Sequence, residues 1–171
     1  MTQIPLTAED FEHLVRFYKN TINDGKSGTY RHRYSIRKDV VERLIESTDA
    51  PITMYYKNKE AFLHDFPRYG EHSFKRYSPK IIEQPKLIVG KDFELDSPID
   101  FYKFDVYRAN KEPRDNPEGS FSDLILFGDY FCTNSFNYNI GKTVCLLSFN
   151  DDGVKNTKSA LEFMLENSEK L

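Results

Sequence analysis

Four histidines, two cysteines and 27 carboxylates are the residues of this chain that could do chemistry, and their spacing decides which chemistry is open to them. His13, His32, His64 and His72 contain no pair at the HxH or HxxxH spacing that brings two imidazoles onto one metal. Cys132 and Cys145 form no CxxC motif and are expected to be reduced and packed inside. No GxSxG elbow is present to expose a serine nucleophile. Asp24-Gly25-Lys26-Ser27-Gly28 contains the tail of a phosphate-binding loop, but the first glycine of that motif would fall at Asn20, and a helical pattern precedes it instead of an apolar strand. The sequence therefore assigns no catalytic residue, no metal ligand and no cofactor.

Three constellations remain. Asp92, Glu94, Asp96, Asp100 and Asp105, with Lys103 and Lys111 nearby, supply the hard oxygens and cations that a metal-dependent nuclease or hydrolase gathers on strands. Lys26, Arg31, His32, Arg33, Arg37, Lys38 and Arg43 lie within one short stretch, interleaved with Tyr30 and Tyr34. Such mixing suits phosphate contacts combined with base stacking. Glu112, Asp115, Glu118, Asp123 and Asp129, with Tyr130 beside them, read as an acidic surface that would steer a basic protein partner.

The elements that must position these residues follow from periodicity. Thr7 caps a first helix whose stripe is Phe11, Leu14, Val15 and Tyr18. Thr29 to Ser35 alternates rings and bases as a short strand. Val40, Val41, Leu44 and Ile45 give a second helix, about Ile36 to Ser47, one buried face. Ile52 to Tyr56 is a strand of β-favouring residues. Asn58 caps a brief helix over Lys59 to Phe66, ended by Pro67, and Arg68 to Pro85 reads as loop. Strands are expected at Leu87–Val89, Asp100–Ala109, Leu124–Phe127, Tyr130–Cys132 and Thr143–Phe149, with a turn at Gly128-Asp129. The run Val144-Cys145-Leu146-Leu147 suggests a central strand covered on both faces. A last helix starts near Asn156 or Thr157 and buries Ala160, Leu161, Met164 and Leu165.

Helices first, then a meander, then one helix indicate an α+β fold: a single domain over residues 1–171, with an antiparallel sheet of four to six strands and the C-terminal helix packed on it. A chain this long buries roughly 70% of its unfolded surface, so neither metal nor disulfide is required for stability. The net charge of -3 argues against a protein that coats nucleic acid indiscriminately. Charge is uneven, however: residues 1–85 carry 14 bases and 12 acids, the remainder 10 bases and 15 acids. No apolar run reaches the length of a membrane helix, and the first residues lack the basic and apolar regions of a signal peptide, so a cytoplasmic protein is expected. Fourteen Phe and eleven Tyr, with no Trp, make rings the main core material and offer a sticky surface wherever they are exposed.

Residues 121–132, 141–149 and 157–165 together resemble the C-terminal half of SMI1/KNR4-like (SUKH superfamily) domains. There an apolar strand leads through a Gly/Asp turn to an aromatic strand, a further strand and a closing helix. Ser159, Phe163 and Leu165 approximate that helix. The Asn-Gly-Gly turn usual in the family is missing. The resemblance implies an α+β fold without catalytic residues and a role as an immunity protein that neutralises a toxin. The leading expectation is thus a non-enzymatic protein-binding domain. Nucleic-acid binding through Lys26, Arg31, Arg33, Arg37 and Lys38 is the alternative, and metal-dependent hydrolysis at 92–105 the second alternative.

Overall fold

Among the described residues the period-two segments pair into one mixed sheet of nine strands. The structure is a computed structural model, and it describes residues 3–5, 28–47, 50–66, 84–94, 104–112, 119–138 and 141–171. In chain order the elements are β1 (Gln3–Pro5), β2 (Gly28–Arg33), a 3-10 turn (Tyr34–Ile36), α1 (Arg37–Ser47), β3 (Ile52–Tyr56), α2 (Lys59–Asp65), β4 (Lys86–Val89), β5 (Asp105–Ala109), β6 (Gly119–Phe127), β7 (Phe131–Tyr138), β8 (Thr143–Phe149), α3 (Asp152–Glu166) and β9 (Ser168–Lys170).

The strands lie in the order β1-β2-β8-β7-β6-β3-β4-β5-β9. The β6-β7-β8 meander is antiparallel and sits between β2 and β3, so α1 carries the chain past three strands before β3 begins. β3, β4 and β5 run parallel, as do β1 and β2. The α+β class stands, but the sheet is larger than four to six strands and is mixed instead of antiparallel. Of the expected strand from Asp100, β5 takes Asp105–Ala109 and residues 100–103 lie outside the described residues, while β7 continues six residues past Cys132 to Tyr138. The expected N-terminal helix from Thr7 and the loop after Arg68 lie outside the described residues.

Two apolar layers cover the sheet. On one face, Val40, Val41, Leu44 and Ile45 of α1 and Phe62 of α2 pack on Met54, Leu87, Ile125, Phe127 and Leu147. On the other, Val154, Leu161 and Met164 of α3 pack on Tyr55, Ile88, Leu124, Leu126 and Cys132. Asn58 caps α2, its side chain accepting from Ala61 N at 2.9 Å. Asp151 caps α3 by accepting from Gly153 N at 3.0 Å, so that helix starts four residues earlier than its apolar stripe suggests. Gly128 turns β6 into β7 with φ of 59°, a conformation that disfavours a side chain. Both cysteines are free and buried. They project from opposite faces of neighbouring strands, and burial pushes each thiol up to about 11, which keeps them unreactive.

Candidate functional site

Strand alternation sends the polar residues of the central strands to two different places. On the face of α1 and α2 they form a closed charge cluster. Arg37, the first residue of α1, is fully buried and reaches over β6 and β7. Its Nη2 donates to Asp123 Oδ1 and, at 3.0 Å, to the carbonyl of Thr133. Its Nη1 donates to Thr133 Oγ1, and its Nε faces Asp65 Oδ2 at 3.5 Å. Asp65, at the end of α2, also accepts from Tyr56 Oη at 2.7 Å and from His64 Nδ1 at 3.0 Å. The His64 ring stacks on Tyr34, centroids 3.8 Å apart. Asp123 Oδ1 accepts from Ser135 N at 3.1 Å, and the Ser135 hydroxyl lies 3.3 Å from Cys145 Sγ. His32 stands opposite Cys145 in the ladder.

The cluster sets two carboxylates around one buried guanidinium, with His64 against Asp65 and His32 beside Cys145. Burial pushes the Asp123 carboxyl up to about 7, against the pull of Arg37 and the hydrogen bond from Ser135. Burial also drives His32 down to about 3, helped by Arg37, so the ring is neutral. For Arg37 burial opposes the charge, but Asp123 and Asp65 outweigh it and the guanidinium stays protonated. The cluster ties α1 and α2 to the middle of the sheet. Arg37 has no exposed surface, so it is unavailable to a phosphate.

The α3 face is different. β2, β8, β7 and β6 place side chains there in cross-strand rows. One row runs Arg33, Val144, Phe136, Phe121; the next runs Arg31, Leu146, Asn134, Leu124; a third runs Thr29, Ser148, Cys132, Leu126. α3 covers the β6 end of the lower rows. Among the described residues nothing covers the β2 end: Arg31 and Arg33 are exposed, and Leu146, Val144, Phe136, Phe121 and Tyr138 are half-buried. The rings form a ladder, Phe121 on Phe136 at 5.2 Å and Phe136 on Tyr138 at 4.7 Å, each pair edge to face. Where this open half meets α3 lies a cavity of about 370 Å³, walled by Phe121, Leu124, Leu146 and Ala160, with Asn134 and Thr157 beside them.

The sequence-predicted residues are scattered by this architecture. Of the basic stretch, Arg31 and Arg33 share the open face and Arg37 is in the core. Lys38 belongs to α1 on the opposite side of the sheet and lies 3.8 Å from Glu42. Lys26 lies outside the described residues. Of the acidic group, Asp123 is buried in the cluster and is no part of a surface. Glu112 accepts from Lys91 N at 2.7 Å. Asp129 is exposed and bound by Lys158 at 2.7 Å, and Tyr130, 44% exposed, borders with it a second depression of about 510 Å³ on the other flank of α3. Asp115 and Glu118 fall outside the described residues. So do Asp96, Asp100 and Lys103; Asp92 and Glu94 are exposed after β4, and Asp105 opens β5. Among the described residues no group of three His, Cys, Asp or Glu side chains could hold a metal ion. Asn134, Phe136 and Tyr138 were not visible as site residues, because Thr133 to Tyr138 is too polar to read as strand. The Phe-Asn-Tyr alternation at 136–138 was the one signal available.

No family model matches the sequence, and no curated protein matches it. Solved structures do match the fold. TrmBL2, an archaeal chromatin protein described as showing a novel mode of DNA binding, superposes with a TM-score of 0.58 at 11% identity over 95% of this chain. The chain spans 62% of that protein's length. NucT from Helicobacter pylori gives a TM-score of 0.50 at 11% identity. Nuc from Salmonella typhimurium, a phospholipase D family member, gives 0.52 at 6%. Each of these two matches covers 85% of this chain and 99% of the other. None of the three is described as SMI1/KNR4-like.

Proposed function

We propose that the chain binds single-stranded nucleic acid across the open half of its α3-side sheet face. One observation carries this reading: Arg31 and Arg33, both exposed, share cross-strand rows with the half-buried Leu146, Val144, Phe136 and Phe121. Guanidiniums contact phosphates, and rings stack on bases without regard to sequence. The fold itself occurs in a DNA-binding chromatin protein, which supports the reading. The overall charge of -3 confines the attraction to this patch. The acidic protein-docking surface has less behind it, since Asp123 is core and Glu112 and Asp129 already hold partners.

Fluorescence anisotropy with a labelled twelve-nucleotide strand tests the proposal. The double variant Arg31→Ala/Arg33→Ala should weaken binding at least several-fold, and Phe136→Ala should weaken it by a comparable factor. Lys38→Ala, from the same basic stretch but the other side of the sheet, should leave binding unchanged. If Lys38→Ala costs as much as the double variant, the site is not this face.

A further inference from the structure

We infer that the open face captures the end of a strand, and an end that carries no terminal phosphate; the inference rests on the nucleic-acid reading above and specifies which part of a strand that face accepts. The face is a wedge. Its widest row, Arg33, Val144, Phe136 and Phe121, is exposed or half-buried across all four strands. In the next row Arg31 is exposed and Leu146 half-buried, while Asn134 and Leu124 are already buried beside α3. In the third, Thr29, Ser148, Cys132 and Leu126 are all buried. Successive rows are two residues apart along β2, so the wedge narrows from four open strands to closure within roughly 14 Å.

Charge changes sign along the same axis. At the wide end Lys142 stands across from Tyr138, whose N donates to the Lys142 carbonyl at 2.8 Å. Lys142 is exposed and borders the rings together with Arg33 and Arg31. At the narrow end Thr29 Oγ1 donates to Asp151 Oδ2 at 2.5 Å. Asp151 Oδ1 accepts from Gly153 N at 3.0 Å and from Val154 N at 3.4 Å, so these first amides of α3 are already taken and are not offered to an anion. Asp152, exposed, lies on the flank of α3 that carries Asn156 and Ala160. A phosphate one step beyond Arg31 thus falls at Thr29, against the Asp151 carboxylate, where like charges repel. A strand lying on the face through its middle sets a phosphate there. A strand whose last nucleoside rests over Leu146 and ends in a hydroxyl sets none, and its phosphates follow Arg31, Arg33 and Lys142 out of the wide end.

The probes are a thirty-nucleotide strand with a hydroxyl at each end, the same sequence closed into a circle, and the same strand bearing a phosphate at its 5′ or its 3′ end, each labelled on an internal base. In fluorescence anisotropy the circle should bind about tenfold more weakly than the open strand, the scale of one lost base contact. One of the two end phosphates should weaken binding by a similar factor and the other should not, which identifies the captured end. In Asp151→Asn/Asp152→Asn the asparagine keeps the helix cap and loses the charge, so most of the penalty on that end phosphate should disappear; thermal melting checks that the variant is folded. Lys142→Ala should weaken binding of the open strand. If the circle and both phosphorylated strands bind as well as the open strand, while Arg31→Ala/Arg33→Ala weakens all four, end capture is refuted and the face remains. If neither end phosphate matters, the repulsion by Asp151 is refuted even where the circle binds weakly. If the double arginine variant binds every probe normally, the face is refuted and end capture with it.

Discussion

Among single side chains, two buried titratable groups in the charge cluster act on stability in opposite directions. His32 takes a proton below 6.5 when the chain is unfolded but only near 3 in the fold. Between those values the unfolded state holds the extra proton, so this ring makes stability fall as the pH drops. Asp123 does the reverse. Its folded value of about 7 exceeds its ordinary 3.8, so the native state holds the extra proton in that window and stability falls as the pH rises. The two effects oppose each other between about 4 and 6.5. Replacing His32 by Phe removes one of them. Urea denaturation across that range should show the variant gaining on the unaltered protein steadily as the pH is lowered from 6.5 towards 3. A constant difference would mean that the ring titrates normally. Arg37 was legible as a base in a basic stretch but not as the centre of this cluster. Its partners Asp65 and Asp123 are 28 and 86 residues away in sequence, and only the crossover of α1 brings them together.

For the elements, β8 shows what a two-sided apolar run means when one side is half covered. Leu147 faces α1 and has no exposure, whereas Leu146, its neighbour, lines the cavity on the open side. Leu147→Ala should cost about 2–5 kcal/mol in chemical denaturation. Leu146→Ala should cost less than half as much, because its surroundings are already incomplete. Equal losses would mean that both faces of β8 are closed. The expectation of a strand covered on both sides came from apolar residues alone and so could not register that opening. β7 failed in the opposite sense. Thr133 and Ser135 point into the charge cluster and Asn134 into the cavity, so the residues that serve these sites are poor strand formers locally. The start of α3 was obscured for a related reason: Asp151-Asp152-Gly153 reads as a strand terminator, yet Asp151 is the cap. The parallel β3-β4-β5 arrangement was hidden because alternation sets which face a side chain takes, not which way the neighbouring strand runs.

At the scale of the whole molecule, α3 and the α1–α2 pair cover the sheet unequally. The helices seal one face along its centre, and α3 leaves the β2 end of the other open among the described residues. That asymmetry separates charge into two roles. Arg37 is spent inside on holding the layers together, and Arg31 and Arg33, six and four residues earlier, remain exposed. The measurement that bears most directly on this division is the salt dependence of binding to the twelve-nucleotide strand. Each phosphate neutralised on a single strand contributes about 0.7 to the slope of log K against log salt. Losing both guanidiniums should therefore flatten the slope by about 1.4 in Arg31→Ala/Arg33→Ala relative to the unaltered protein. An identical slope in the two proteins would contradict the account, since the arginines would then carry no phosphate contact.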